Sequence, residues 1–493
     1  MIAADRLVAE GQPPVPVRVA PDLRQGKDLD TTMSHLHHEP EPDHASRRRT
    51  PSRWWAAGLA GMTGLALTTV GVATPAAADG AVGHALAAPD DRPSADGHRD
   101  EGTGDGKSKG KKEIKPRGIP VPCDADALIA AITLANARDG AVLDLAEDCT
   151  YLLTAAIDSS GLPAITAPIT LNGGKNTTIE RAAAADPFRI LAVEVGGDLT
   201  VNKLKIAGGR AAASGEFGAG ILVNTGGRLT VKHSEIVRNV GGTSVGGGIA
   251  NLGTSAITDS VISRNSAAQG GGIFSIRGRL TVKKVRFTDN SANSVGGAIG
   301  SVLDVTTEVW DSTFARNRAE IGAGIGESEG ANTSIVRSTF VDNNSSSIGG
   351  AIFLDGQLTM RHVTVVRNHA EERGGGVAVQ NATGGSAAVI EDSEISKNTT
   401  NGTGGGIFNA SVPVVLRDTT VAANQADTGG GIFTQANSTT TLFNTSVVKN
   451  IAVTDGGGIF NDPAGVVVLN TATGTVVIKN RPNNCVNVPG CSG

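Results

Sequence analysis

Residues 287–299 read FTDNSANSVGGAI, where an apolar residue lies three places before an asparagine and a small-residue tripeptide then leads into an isoleucine. Tripeptide and aliphatic residue recur ten times, at Ile221, Ile249, Ile273, Ile299, Ile325, Ile352, Val377, Ile407, Ile432 and Ile459, spaced 24 to 30 residues apart. A second signature, Ser/Thr/Val-x-Phe/Ile/Val-x-x-Asn, keeps step with it and ends at Asn239, Asn265, Asn290, Asn317, Asn343, Asn368, Asn398, Asn424, Asn450 and Asn480. Two motifs locked to one period define one repeating structural unit.

The segments between the motifs, such as Leu280-Thr281-Val282 and Val414-Val415-Leu416, alternate or run apolar as short strands do, without helical periodicity. A helical hairpin repeat is excluded, a propeller blade needs about 40 residues, and a leucine-rich repeat needs its own leucine ladder. The period predicts an all-β fold, a right-handed parallel β-helix (solenoid) of about twelve coils, with corresponding residues stacked ~4.8 Å apart. In that stack the phenylalanines are expected to form core columns. The asparagines are expected to bond coil to coil, tolerating a left-handed turn, and the glycines to provide positive φ or close backbone approach. Residues 124–138, DADALIAAITLANAR, predict a short N-terminal capping helix with Asp124 as N-cap, Leu128, Ile132 and Ala135 on the buried face and Gly140 past its end.

The chain has 493 residues, 39% hydrophobic and 18% charged, with 66 glycines and only 3% aromatics. That is enough apolar material for a long core, and a net charge of -5 argues against a nucleic-acid partner. Residues 47–78, RRRTPSRWWAAGLAGMTGLALTTVGVATPAAA, run from basic to uncharged to the small residues Ala76, Ala77 and Ala78, the layout of a secretory signal cleaved before Asp79. A membrane anchor is the competing reading; the Gly, Thr and Ala content and the A-x-A end favour cleavage, leaving no stable membrane span. Thr50-Pro51 after Arg48-Arg49 weaken a twin-arginine reading. With Met33 as a start, the expected organisation is an upstream extension (1–32), signal peptide (33–78), flexible linker (79–118), N-terminal cap and first strands (119–170), parallel β-helix (171–480) and C-terminal cap (481–493). The linker's KSKGKKEIKPR at 107–117 reads as a solvated spacer, with contact to anionic polymers as the alternative. Four cysteines allow three pairings. Their positions, Cys123 and Cys149 at one end of the stack and Cys485 and Cys491 at the other, favour one bridge per end in an oxidising compartment.

The paired motifs, Phe287-Thr288-Asp289-Asn290 followed by Gly296-Gly297-Ala298-Ile299, resemble the repeats of polymorphic outer-membrane proteins and related bacterial β-helix proteins of the pectin-lyase-like superfamily, over about residues 123–480. The sequence departs from the outer-membrane group after Asn480, where it has no alternating strands for a membrane barrel, so secretion is expected rather than self-anchoring. The superfamily includes polysaccharide lyases, hydrolases and epimerases. Its hydrolases use Asp pairs and a Gly-His-Gly segment; the one Asp-Asp, Asp90-Asp91, is in the linker, and His233, His362 and His369 are too scattered for a metal site. No catalytic, metal or cofactor set is therefore assigned.

Six places before each asparagine stand His233, Asp259, Lys284, Asp311, Arg337, His362, Asp392, Asp418 and Asn444, a ladder of mixed sign in which Asp311 reads as structural. One place before stand Arg238, Arg264, Asp289, Arg316, Asp342, Arg367, Lys397, Ala423, Lys449 and Lys479. The seven cations of this second column form a stripe that suits an anionic polysaccharide or cell-wall polymer, with a solvated face as the alternative. The expected function is a secreted, non-catalytic β-helix for surface adhesion or glycan association. The alternative is a carbohydrate-active enzyme such as a polysaccharide lyase, for which a cleft-building excursion is wanted; Asn381-Ala382-Thr383-Gly384-Gly385 is too short to wall one.

Overall fold

Alternation along each short strand sends one set of side chains inward and the other to solvent. In Arg279–Lys283 (RLTVK), Leu280 and Val282 are buried while Arg279 and Lys283 are exposed. The structure, a computed structural model, describes residues 118–211, 216–380 and 385–492, all within the unit Ser108–Gly493. The expected upstream extension, the signal peptide and the linker as far as residue 117, Asp90-Asp91 included, lie outside the described residues, as do residues 381–384.

One coil runs through Ile273–Ile276, Arg279–Lys283, Arg286–Thr288 and Ser291–Ala292, and the chain returns one level on at Ile299–Val302. Repetition of this path builds three sheets of 24, 13 and 8 strands among the described residues, the first taking two legs of each coil. The protein is a parallel β-solenoid of about 14 turns rather than twelve. The additional turns precede the first full motif: Ala141–Leu145 already pairs in parallel with Pro168–Asn172, and Thr150–Leu153 with Thr178–Arg181. These coils have the strand alternation but lack the Gly-Ile and Asn signature that marks the later turns in the sequence.

In-register pairing places like on like. Phe287 pairs with Phe314 and Phe314 with Phe340, the rings stacked at 4.8 and 4.5 Å in the main core. The phenylalanines that follow the Gly-Ile turn are not in that core. Ile352 and Ile407 take the inward position, so Phe353 and Phe408, one residue on, face the opposite side and pack in a separate small cluster with Ile348 and Ala378. Phe433 and Phe460 continue that outer column, stacked at 5.2 Å.

The asparagines form an unbroken buried ladder. The Asn317 Nδ2 donates to Asn343 Oδ1 (2.9 Å) and to the Phe287 carbonyl (3.1 Å), while Asn317 Oδ1 accepts from the Asn290 backbone N–H (3.1 Å) and Nδ2 (3.0 Å). The left-handed residue of this corner is not the asparagine but the one before it: Arg238, Arg264, Asp289, Arg316, Asp342, Arg367, Lys397, Ala423, Lys449 and Lys479 all have φ between 54° and 60°. The stripe is thus exposed because it occupies a tight corner, not through strand alternation. The ladder from His233 to Asn444 occupies a second left-handed corner, with φ of 43° to 54°. Neither column contains Val, Ile or Thr, for which this conformation is most strained. Behind the second corner a hydroxyl column closes the backbone, as where Ser338 Oγ accepts from Ser312 N–H at 3.1 Å. At the third corner Gly270 has φ 60°, and a Cβ on Gly271 would meet the Ser291 carbonyl oxygen at 2.3 Å, so neither tolerates a side chain.

Both ends are closed. The helix Ala125–Ala137 buries Leu128, Ile132 and Ala135, and Asp124 accepts from Ala127 N–H. Tyr151, fully buried, donates to the Val121 carbonyl and accepts from Ala146 N–H, both at 2.9 Å. Cys123 is bonded to Cys149 and Cys485 to Cys491. In the C-terminal segment Cys485–Val486 pairs with Ile459–Asn461, setting Cys485 on the aliphatic column above Ile459.

Phe314→Ala should cost roughly 3–5 kcal/mol through the cavity it opens. Asn317→Ala should cost about 2–4 kcal/mol by stranding two donors of Asn290 and the Phe287 carbonyl. Ala423→Asn should instead stabilise by about 0.5–1 kcal/mol, because asparagine tolerates the left-handed corner that alanine resists. Chemical denaturation of the three variants checks all three signs.

Candidate functional site

The left-handed corner before each asparagine points its side chain to solvent, and the rigid ladder beneath it fixes where each stripe residue begins. Its charge is not uniform. The Arg316 Nε and Nη2 bind the two Asp289 oxygens at 2.9 and 3.0 Å, and Arg367 binds Asp342 in the same way at 2.8 and 3.2 Å. Arg238 pairs with Glu180 at 3.2 Å. The aspartates that interrupt the stripe in sequence are thus the partners of the arginines one coil on, and the carboxylates beside Arg316 and Arg367 strengthen their hold on the proton. Arg264, Lys397, Lys449 and Lys479 make no ion pair among the described residues.

The unpaired charge concentrates at the C-terminal end. Lys449 and Lys479 occupy successive coils, Ser446–Val448 pairing with Val476–Ile478, and Arg481 lies over Ile451. Together with Asn480 they line an open concavity of about 480 Å³. A smaller one, about 150 Å³ and near the N-terminal end, is bounded by Asp158, Ser159, Ser160, Arg189 and Glu194. There the Arg189 guanidinium donates to the Phe217 carbonyl at 2.5 Å, and burial lowers its pKa.

Asp311 is ionised and spoken for. Arg337 holds it through bonds of 2.7 and 3.1 Å, and that hydrogen bond, aided by the charges of Arg337, Lys283 and Lys284, pushes its pKa down. A general acid or base working near neutral pH needs the opposite shift. On the neighbouring strand face Trp310 is half-buried and outward, in register between Lys283 and Val336. Sequence reasoning missed it; the signal was its place just before a left-handed residue, the last outward position of the strand.

The carboxyl group whose burial does raise its pKa is Glu327, also unforeseen. It lies inside the coil, fully buried, with Thr307 donating to Oε1 at 2.8 Å and Thr333 to Oε2. Its place two residues after the Ile325 of a glycine turn matches Ser301 and Ser275, which stand in register one and two coils back. Loss of hydration outweighs the hydroxyl donors that favour the anion. Enclosed in this way, Glu327 does not face a polymer at the surface.

No protein family's sequence profile matches the chain, and no curated protein matches it. Among solved structures it is similar to the crystal structure of pectate lyase Pel9A, with a TM-score of 0.32 and 16% identity, covering 59% of this chain and 72% of that one. Likeness at that level carries nothing about activity or substrate.

Glu327 yields a pH dependence. Above the ordinary glutamate pKa the unfolded chain releases a proton that the folded protein retains, so this group's contribution to stability is full in acid and is lost as pH rises toward its folded-state pKa. Glu327→Gln should flatten that decline and leave the variant more stable than the parent in alkali. Thermal unfolding across the pH range checks it, and parallel curves for the two proteins would contradict it.

Proposed function

We propose that the protein is an exported, non-catalytic β-solenoid that holds an anionic polysaccharide or cell-wall polymer on its outer surface. The observation that carries this reading is the cation column itself: ten successive left-handed corners direct side chains outward at a repeat close to ~4.8 Å, seven of them cationic and four of those seven unpaired among the described residues. A polymer with regularly spaced charges matches a surface with regularly spaced cations. Export is supported by the A-x-A site after an uncharged run and by two disulfides, which persist in oxidising compartments. Among the described residues no helix is long and apolar enough to cross a membrane. The likeness of the repeats to those of polymorphic outer-membrane proteins fits a surface role.

Against lyase chemistry stand the outer carboxylates Asp289, Asp311 and Asp342, each held by a bidentate arginine. Incubation with polygalacturonate, followed by absorbance of unsaturated products, should show no release, while retention on the immobilised polymer should fall as salt rises. Release of unsaturated ends would replace this reading with a lyase.

A further inference from the structure

The cations of the stripe do not contribute equally, and the difference locates a site. Upstream, Arg238, Arg316 and Arg367 are each engaged by a carboxylate. From Lys397 onward the column reads Lys397, Ala423, Lys449 and Lys479, without an acid. Lys449 and Lys479 are exposed, and Arg481 joins them from the next outward position beyond the asparagine ladder. Their backbones are held on both sides: Asn450 bonds Asn480 at 3.0 Å, the Arg481 N–H donates to the Asn450 carbonyl at 3.0 Å, and the Ala452 N–H donates to the Arg481 carbonyl at 2.8 Å. Ile451 also lines the concavity and is 45% exposed, unusually open for an isoleucine.

We propose that this C-terminal concavity is the principal binding site for an acidic sugar unit of the polymer, an inference that rests on the glycan reading above. Lys449, Lys479 and Arg481 all line a space whose 480 Å³ lies within the ~300–1,000 Å³ of small-ligand sites. The guanidinium fork takes an oxyanion through two parallel bonds, the lysines add charge from the corner side, and Ile451 receives the carbon face of the sugar ring. Carboxylate and sulfate share this chemistry. The paired middle of the stripe is a poorer site, because a ligand there has to displace Asp289 or Asp342 from its arginine.

The test is affinity electrophoresis of the full exported chain in gels containing polygalacturonate or, in a parallel arm, dextran sulfate, with thermal unfolding to confirm that each variant is folded. Replacing Lys449, Lys479 and Arg481 together with alanine should weaken binding about tenfold or more and reduce its salt dependence. Arg228→Ala with Arg279→Ala, exposed cations outside the column that each pair with a carboxylate, should change it less than about twofold. The arm that retards the parent protein identifies the oxyanion as carboxylate or sulfate. Full retardation of the triple variant, with the parent retarded as well, would overturn the site and keep the glycan reading. No retardation of the parent protein in either gel would overturn both.

Discussion

The asparagine ladder is the interaction on which the other features of the solenoid depend. Each buried amide uses both donors and both lone pairs: two bonds lead forward to the next coil's asparagine and back to a carbonyl, and two are accepted from the preceding asparagine. A slip of one residue would strand all of these groups away from water, and each stranded group costs about 1–3 kcal/mol. Register is therefore set once per coil at one corner, and the aliphatic, phenylalanine and hydroxyl columns inherit it.

The same ladder decides what the surface looks like. An asparagine that must point inward at a two-residue corner forces its predecessor into the left-handed region, with the side chain outward. That position holds no β-branched residue and accepts Asp, Lys and Arg, so charges accumulate there for a backbone reason. Whether they become a binding surface depends on neighbours one coil away. Asp289 neutralises Arg316 and Asp342 neutralises Arg367, whereas Ala423 neutralises nothing.

The fold was legible because stacking copies one local choice many times. Ten repeats of the small-residue tripeptide with its aliphatic residue and of the asparagine signature specify strand, corner and column together, and the cap was readable from Asp124, Leu128, Ile132 and Ala135. The early coils were undercounted because Ala141–Leu145 and Thr150–Leu153 form turns without the motif. The phenylalanines after the glycine turn are buried in a second cluster apart from the main core: apolar character does not say which side of a strand a residue faces, and Ile352 and Ile407 take the inner side.

For the candidate site the division is sharper. By itself the sequence determined the parallel coil, its period, the exposed cation column and the ends that the cysteines close, since each follows from a residue pattern repeated at fixed spacing. Only the tertiary structure decided that Asp289 and Asp342 cancel their neighbours, that Arg481, stacked over Ile451, lines the same concavity as Lys449 and Lys479, and that Glu327 is sealed inside while Trp310 stands outside. Those outcomes depend on distances of a few ångströms between side chains some 25 to 30 residues apart, and Coulombic pairing, desolvation and shape act over those distances and not along the chain.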